Sequence, residues 1–330
     1  MNSTTTPTGS VVECTFTNFI LFDFNIESVT SREVFVSHLI FCVINAVLSV
    51  LTICLNSISA MAYWNSTELK RKTAHFLIMI LSLNDLVVGI ICGPLYVAVL
   101  AREYSLRKFS CFIRGIQLFL LLLICGCSLM TLVLMNFERY FAIVHPIFHR
   151  TKVTKGLLVK CLIVLWLVNV GIISLIFYSQ DVLTKCLSVE SLLFMSALVF
   201  IYVRIYFASR KSFHTFRRMN ITNASPQGQD TSQLEREQHL RNLRLVKSCC
   251  IVVVCFWMCF LPACVLVTVI SNYNELTYMF HTCAETSLLL NSSLNSLIFF
   301  WKNKLLRKEA QRVLKRLLCK TNIPPANPEM

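Results

Sequence analysis

Charge is what this sequence has least of. Only 15% of its 330 residues are Asp, Glu, Lys or Arg, against about 25% in soluble domains. Acidic residues are the scarcer sign, 17 against 31 Lys and Arg. Eight glycines and eight prolines exclude collagen-like and low-complexity chains. Residues 1–30 lack a basic stretch followed by an apolar one, so no cleaved signal peptide is expected. There is no internal repeat, no segment with the composition of a soluble domain, and no His/Cys/Asp/Glu set at metal-ligand spacing. No catalytic constellation is present either, which excludes an enzyme.

What is abundant is apolar. Hydrophobic residues make up 55% of the chain and the mean hydropathy is +0.64. A bilayer core about 30 Å thick requires about 20 apolar residues in a helix. Val34 to Tyr63 meets this without a charge, and Phe76 to Leu100 meets it with Asp85 as the only interruption. Gly115 to Phe137, Cys161 to Tyr178 and Ser248 to Ile270 follow. Ser191 to Val203 is short alone but extends past Arg204 to Phe207, since an arginine near a helix end reaches the headgroups. Leu276 to Trp301, with His281 and Glu285 near its start, makes seven. The expected fold is all-α, a seven-helix transmembrane bundle. Most of the 16 cysteines, such as Cys249, Cys255 and Cys259, lie inside these runs and act as small hydrophobes rather than a disulfide scaffold.

The net charge of +14 raises nucleic acid as a partner, but its distribution argues otherwise. Six of the 31 Lys and Arg (Arg32, Arg102, Arg107, Lys108, Arg114 and Lys185) fall in segments on the side of the N-terminus, and 25 fall on the other side. That asymmetry predicts an extracellular N-terminus, a cytosolic C-terminus and a basic surface facing anionic lipid at the plasma membrane. No nucleic-acid partner is expected. Asn2 opens a glycosylation tripeptide on the outer side. The domains expected are an extracellular segment over 1–33, a membrane domain over 34–302 with a mobile polar loop about 212–238, and an amphipathic helix and tail over 303–330.

At the inner end of the third span stands Asn136-Phe-Glu-Arg-Tyr-Phe-Ala-Ile-Val-His-Pro146. In isolation, a Glu-Arg pair at a membrane boundary is as readily an interfacial anchor as a functional device. Further motifs follow the same order along the chain: Asn56 in the first span, Leu81-Ser-Leu-Asn-Asp85-Leu in the second and Trp166 in the fourth. Phe256-Trp-Met-Cys-Phe-Leu-Pro262 lies in the sixth and Asn291-Ser-Ser-Leu-Asn-Ser-Leu-Ile-Phe299 in the seventh. In this set the chain resembles the rhodopsin-like G-protein-coupled receptors over Asn56 to about Cys319. The resemblance implies a receptor passing the binding of an extracellular ligand to a heterotrimeric G protein. It gives activation or coupling roles to Glu138, Arg139, Tyr140, Tyr202, Phe256, Phe260, Pro262, Asn295 and Phe299.

The chain also departs from that family. The seventh-helix motif, usually Asn-Pro-x-x-Tyr, reads Asn295-Ser-Leu-Ile-Phe299, and Phe260 stands where the sixth helix usually has Trp. The fifth span has no proline. A proline bends a helix by removing one of its hydrogen bonds, so the fifth and seventh helices are expected to be straighter here.

Asp85 is the costliest residue in the apolar runs, because a carboxylate at a helix centre costs about 2.5–3.5 kcal/mol on insertion scales. Ser128 lies 11 residues before Arg139 on the same face of its helix, and Asn291 and Asn295 share a face of the seventh beside Ser292. In the family this set with Asp85 holds a sodium ion, the only metal or cofactor implied; the alternative is a hydrogen-bonded polar core without an ion. The family position bearing Asp in amine receptors is Leu121, and that bearing the retinal-linking Lys is Leu289. An amine-type or retinal-binding receptor is therefore not expected. Gln117, Leu121, His281 and Glu285 remain as ligand-pocket candidates. Glu285 either receives a cationic ligand group or pairs with Arg114.

The family's disulfide implies a bridge between Cys111 and Cys186 on the oxidising side. Its usual cysteine is three residues nearer Arg139, where this chain has Arg114, and Cys14 is a competing partner. After Trp301, the residues Leu305, Leu306, Ala310, Val313, Leu314 and Leu317 form an apolar stripe with bases elsewhere. Such a helix lies on an anionic membrane surface, with Cys319 placed for lipidation; a soluble partner helix is the alternative. For the whole chain the alternatives are a receptor fold that is constitutively active or signalling-silent and, more remotely, a multi-pass transporter.

Overall fold

Lipid offers no partner to a backbone N–H or C=O, so a chain this apolar must satisfy its backbone internally, and helices do so. The computed structural model describes residues 11–15, 20–25, 32–106, 111–178, 180–222, 254–255, 257–262 and 275–321. Its bundle is all-α. Ahead of it lies an antiparallel ribbon of two strands, Val11–Thr15 and Ile20–Asn25, in which Val11 pairs with Asn25 and Thr15 with Ile20.

The first helix runs Arg32–Asn65. The second span starts as Thr73–Val87, passes through a π-helical turn at Val88–Cys92 and resumes as Gly93–Leu106. Pro94 cannot donate to the carbonyl four residues back, and a wider turn at that place accommodates the missing bond. The third helix is Cys111–Val144 and the fourth Lys155–Ser174. The fifth is Gln180–Thr222, the seventh Glu275–Lys302, and both run unbroken, as their lack of proline predicts. Of the sixth span, the described residues 254–255 and 257–262 are helical. A final helix, Lys304–Thr321, begins at Asn303, whose Oδ1 accepts from Leu306 N at 3.1 Å.

Five of these helices are long and apolar enough to cross a membrane by composition: Val36–Asn65, Thr73–Arg102, Phe112–Val144, Lys155–Ser174 and Lys185–Ala208. The seventh is long enough, at 28 residues, but more polar. Two expectations change. The fifth helix continues to Thr222, through the first part of the segment expected as a loop from 212. Cys186 lies inside that helix rather than in a connecting loop.

The first helix is sorted by face. Val36, Val43, Val47 and Val50 are each more than half exposed on the outside. Asn45, Ser49, Thr52, Asn56 and Ser59 are buried. Spacings of three and four place those five on one stripe, which meets a matching stripe on the seventh helix. Asn45 Nδ2 donates to Thr286 Oγ1 at 2.9 Å, Thr52 Oγ1 and Ser293 Oγ lie 2.6 Å apart, and Ser296 Oγ donates to Asn56 Oδ1 at 2.5 Å. Asn56 Nδ2 also reaches Ser292 O at 3.3 Å. Hydrogen bonds of this kind are worth about 0.6–1.7 kcal/mol each in a membrane.

The third helix is the central post. Thr131 accepts from Asn84 Nδ2 of the second helix at 3.4 Å and from Trp166 Nε1 of the fourth at 3.3 Å. Leu77, Leu81, Leu132, Met135, Leu158, Ile298 and Phe299 fill the core around its lower half. Two glycines set the closest approaches. A Cβ at Gly93 would strike Ser49 Oγ, and one at Gly126 would strike the Asn169 carboxamide. The final helix tucks Leu306, Ala310 and Val313 into the core and leaves Leu314 and Leu318 exposed, as is Trp301 at the end of the seventh helix. The stripe expected to face lipid is thus divided, its inner edge packing on protein.

Gly126→Ala should lower stability by about 1–3 kcal/mol, because the added methyl forces the fourth helix away. Gly171→Ala, where a Cβ meets open space, should be neutral or stabilise by up to about 1 kcal/mol. Thermal unfolding of the two variants in detergent, side by side, checks both.

Candidate functional site

The polar side chains predicted from the sequence gather at three levels of the bundle. The first is the end of the third helix that carries Arg139. Glu138 is 3% exposed there, and its carboxylate is held from three directions. Thr73 Oγ1, at the start of the second helix, donates to Oε1 at 2.6 Å. His149 Nε2 lies 2.8 Å from the same oxygen. Arg139 Nε lies 3.7 Å from Oε2. Pro146 opens the short helix Pro146–Lys152 that delivers His149, its missing N–H being no loss at a first helical turn. Lys155 Nζ binds Lys70 O nearby. His149 and Thr73 carried no sequence signal, since neither is near Glu138 in sequence or on its helix.

Tyr140 is buried against Ile201 and Ile205 of the fifth helix. Tyr202 of the fifth helix donates to Asn136 Oδ1 at 2.5 Å, one turn before Arg139 on the third helix. Phe299 is buried in the core, and Phe260 packs between that core and the next cluster up. Pro262 is half-buried at the end of the described part of the sixth span. Phe256 lies outside the described residues.

The second level is the midplane. Asp85 is fully buried. Ser128 Oγ donates to its Oδ1 at 3.2 Å, Asn295 Nδ2 donates to its Oδ2 at 3.1 Å, and Ser292 also bonds it. Through Ser128 and Asn295, the second, third and seventh helices therefore converge on one carboxylate. Asn291 is buried on the seventh helix, one turn before Asn295, and forms no hydrogen bond with Asp85 among the described residues. A carboxylate and two hydroxyls are hard oxygen donors of the type a small cation selects, so the residues fit the sodium ion the family pattern implies.

The third level is nearer the N-terminal end. Arg114, counted from sequence among the loop bases, is buried inside the third helix at 6% exposure. Its Nη2 donates to Glu285 Oε1 at 3.1 Å. His281 Nδ1, one turn from Glu285, lies 3.0 Å from the same oxygen, and Gln117 Nε2 donates to Oε2 at 3.3 Å. The Arg114 guanidinium also stands 5.5 Å from the Tyr96 ring centre, and Tyr96 Oη donates to Thr282 O at 3.3 Å. Of the two readings of Glu285, the ion pair with Arg114 is the one formed. Leu121 is fully buried in apolar surroundings one turn below.

Cys186 carries a free thiol inside the fifth helix, which starts at Gln180, and the side chain of Cys111, its expected partner, lies outside the described residues. The side chains of Cys14, Cys111 and Cys319 lie outside the described residues, as does Asn2. No group of three or more His, Cys, Asp or Glu that could hold a metal occurs among the described residues.

No curated protein was found to match the chain. A family profile described as "7 transmembrane receptor (rhodopsin family)" matches residues 55–299, from just before Asn56 of the first helix to Phe299 of the seventh, and so takes in every level of this polar core. The chain belongs to the rhodopsin family of seven-transmembrane receptors.

Proposed function

We propose that this receptor transmits the binding of an extracellular ligand to a heterotrimeric G protein in the cytosol, with Arg139 at the cytosolic end of the bundle. The observation that carries the reading is the clamp on Glu138. A carboxylate held by Thr73, His149 and Arg139 ties the third helix to the second helix and to the Pro146–Lys152 turn. Opening that end for a partner requires those bonds to exchange, and a ligand drives the exchange by binding the open arrangement more tightly. The basic segments from Lys70 to Lys72 and from Arg150 to Lys155, with the final amphipathic helix, would then face anionic lipid. Cys319 is the lipidation site of this reading and Asn2 the glycosylation site. A constitutively active or signalling-silent receptor is the second reading, favoured by the altered residues Phe260 and Phe299.

In the same reading Asp85 with Ser128, Asn291 and Ser292 would hold sodium, which supplies a positive charge that neutralises the buried carboxylate. Asn295 orients that carboxylate from the other side.

Arg139→Ala should reach the cell surface but lose G-protein activation in a second-messenger assay; normal signalling would remove the receptor reading. His149→Ala should do the reverse. Loss of one bond to a charged group, about 1 kcal/mol at this half-buried position, raises basal signalling about fivefold, and an unchanged or lower basal level counts against the clamp. Sodium should raise the unfolding temperature of the purified receptor more than potassium at equal ionic strength. Asp85→Asn should abolish that difference; a sodium preference that persists in Asp85→Asn rules out the ion site.

A further inference from the structure

A cavity of about 420 Å³ opens among the third, fourth, fifth and sixth helices, with Leu288 of the seventh at its edge. Its wall is almost wholly apolar, formed by Leu122, Leu129, Ile173, Trp257, Leu261 and Leu288 among others. One charged residue stands in that wall among the described residues, Glu190 of the fifth helix. Its Oε1 is shut off from solvent and has no hydrogen-bond partner. The other polar groups of the wall are engaged: Asn169 Nδ2 donates to Leu123 O at 3.0 Å and Ser191 Oγ to Leu187 O at 2.8 Å. Glu285, by contrast, already has Arg114, His281 and Gln117 on its two oxygens. Of the two carboxylates in the upper bundle, the buried Glu285 is spoken for, whereas the half-buried Glu190 keeps one enclosed oxygen without a partner.

We propose that the ligand of this receptor is a protonated amine with an apolar body, whose ammonium pairs with Glu190. An unpartnered carboxylate oxygen in an apolar wall carries a desolvation cost that a charged hydrogen-bond donor removes. No Lys or Arg lines the cavity to do so from within the described residues. Volume and lining fit a small organic molecule, since ligand sites are mostly apolar with a few placed polar groups and span about 300–1,000 Å³. Leu121, the absence that argued against an amine from sequence, says only that the third helix does not supply the counter-ion. The fifth helix supplies it instead, from the opposite wall. Carboxylate ligands are disfavoured by the same group, because two like charges in an apolar cavity repel.

The inference rests on the receptor reading, and its test separates the two. Full-length receptor purified in detergent is titrated with tryptamine and with tryptophol, which carries a hydroxyl in place of the amine, and each Kd is read from the shift in unfolding temperature. Tryptamine should bind about tenfold or more tightly than tryptophol, as a charge-assisted bond at a buried site requires. Glu190→Gln keeps the side chain's shape and should bring the ratio to about one. Glu190→Asp keeps the charge and should retain the preference for the amine. Equal binding of amine and alcohol, no shift with tryptamine at millimolar concentration, or a preference that survives Glu190→Gln would each overturn the amine site. Failure of the receptor reading shows elsewhere, as signalling unaffected by Arg139→Ala while tryptamine still binds.

Discussion

Everything in this bundle depends on one constraint: a polar group inside a membrane must find its partner within the protein. The first helix shows the consequence most directly. Its buried face is Asn45, Ser49, Thr52, Asn56 and Ser59, and its exposed face is valine and leucine, the inverse of a helix on a soluble protein. Such a stripe has no stable place except against another of the same kind. The seventh helix provides it with Thr286, Ser293 and Ser296, while Asn295 on the same helix reaches across to Asp85. The two halves of the bundle are joined through hydrogen bonds rather than apolar packing alone.

The buried ion pair at the upper level obeys the same rule at higher stakes. Arg114 stands where the family's bridging cysteine is expected. The top of the third helix is instead tied to the seventh, through Glu285, His281 and Gln117. Removing one member of a buried pair costs about 3–5 kcal/mol, because the other charge is left alone. A disulfide would have fixed the third helix to whatever carries its second cysteine. The ion pair fixes it to a helix whose lower half already meets Asp85, so the upper and middle levels are mechanically one unit.

Much of this was legible in the sequence. Asp85 had to find polar partners, and Ser128 and Asn295 lay at the spacings that supply them. The seventh span was readable despite its polarity because Asn295 and Phe299 fell in order after the other motifs. The choice for Glu285 between a ligand and Arg114 was stated but not decidable, since it depends on whether the third helix starts before or after Arg114. Contacts made across the bundle by residues with no periodic signature stayed invisible. Thr73 and His149 reach Glu138 from separate elements, and a lone His after Pro146 reads as a surface residue until the turn folds back. Glu190 has no sequence signal for a related reason: one acid near the start of a span looks like a headgroup anchor, and only the surrounding walls show that it lines a cavity.

The polar seam also bears on how the protein is made. A translocon sorts each helix by its transfer free energy, and the seventh, with Thr286, Asn291, Ser292, Ser293, Asn295 and Ser296 in its buried face, gains little from lipid alone. Its partners for those groups sit mainly on the first and second helices, the earliest to leave the ribosome. The last span synthesised thus enters the bilayer with a template already waiting there, and its integration is a closing step that depends on retention of the first helix beside the insertion site.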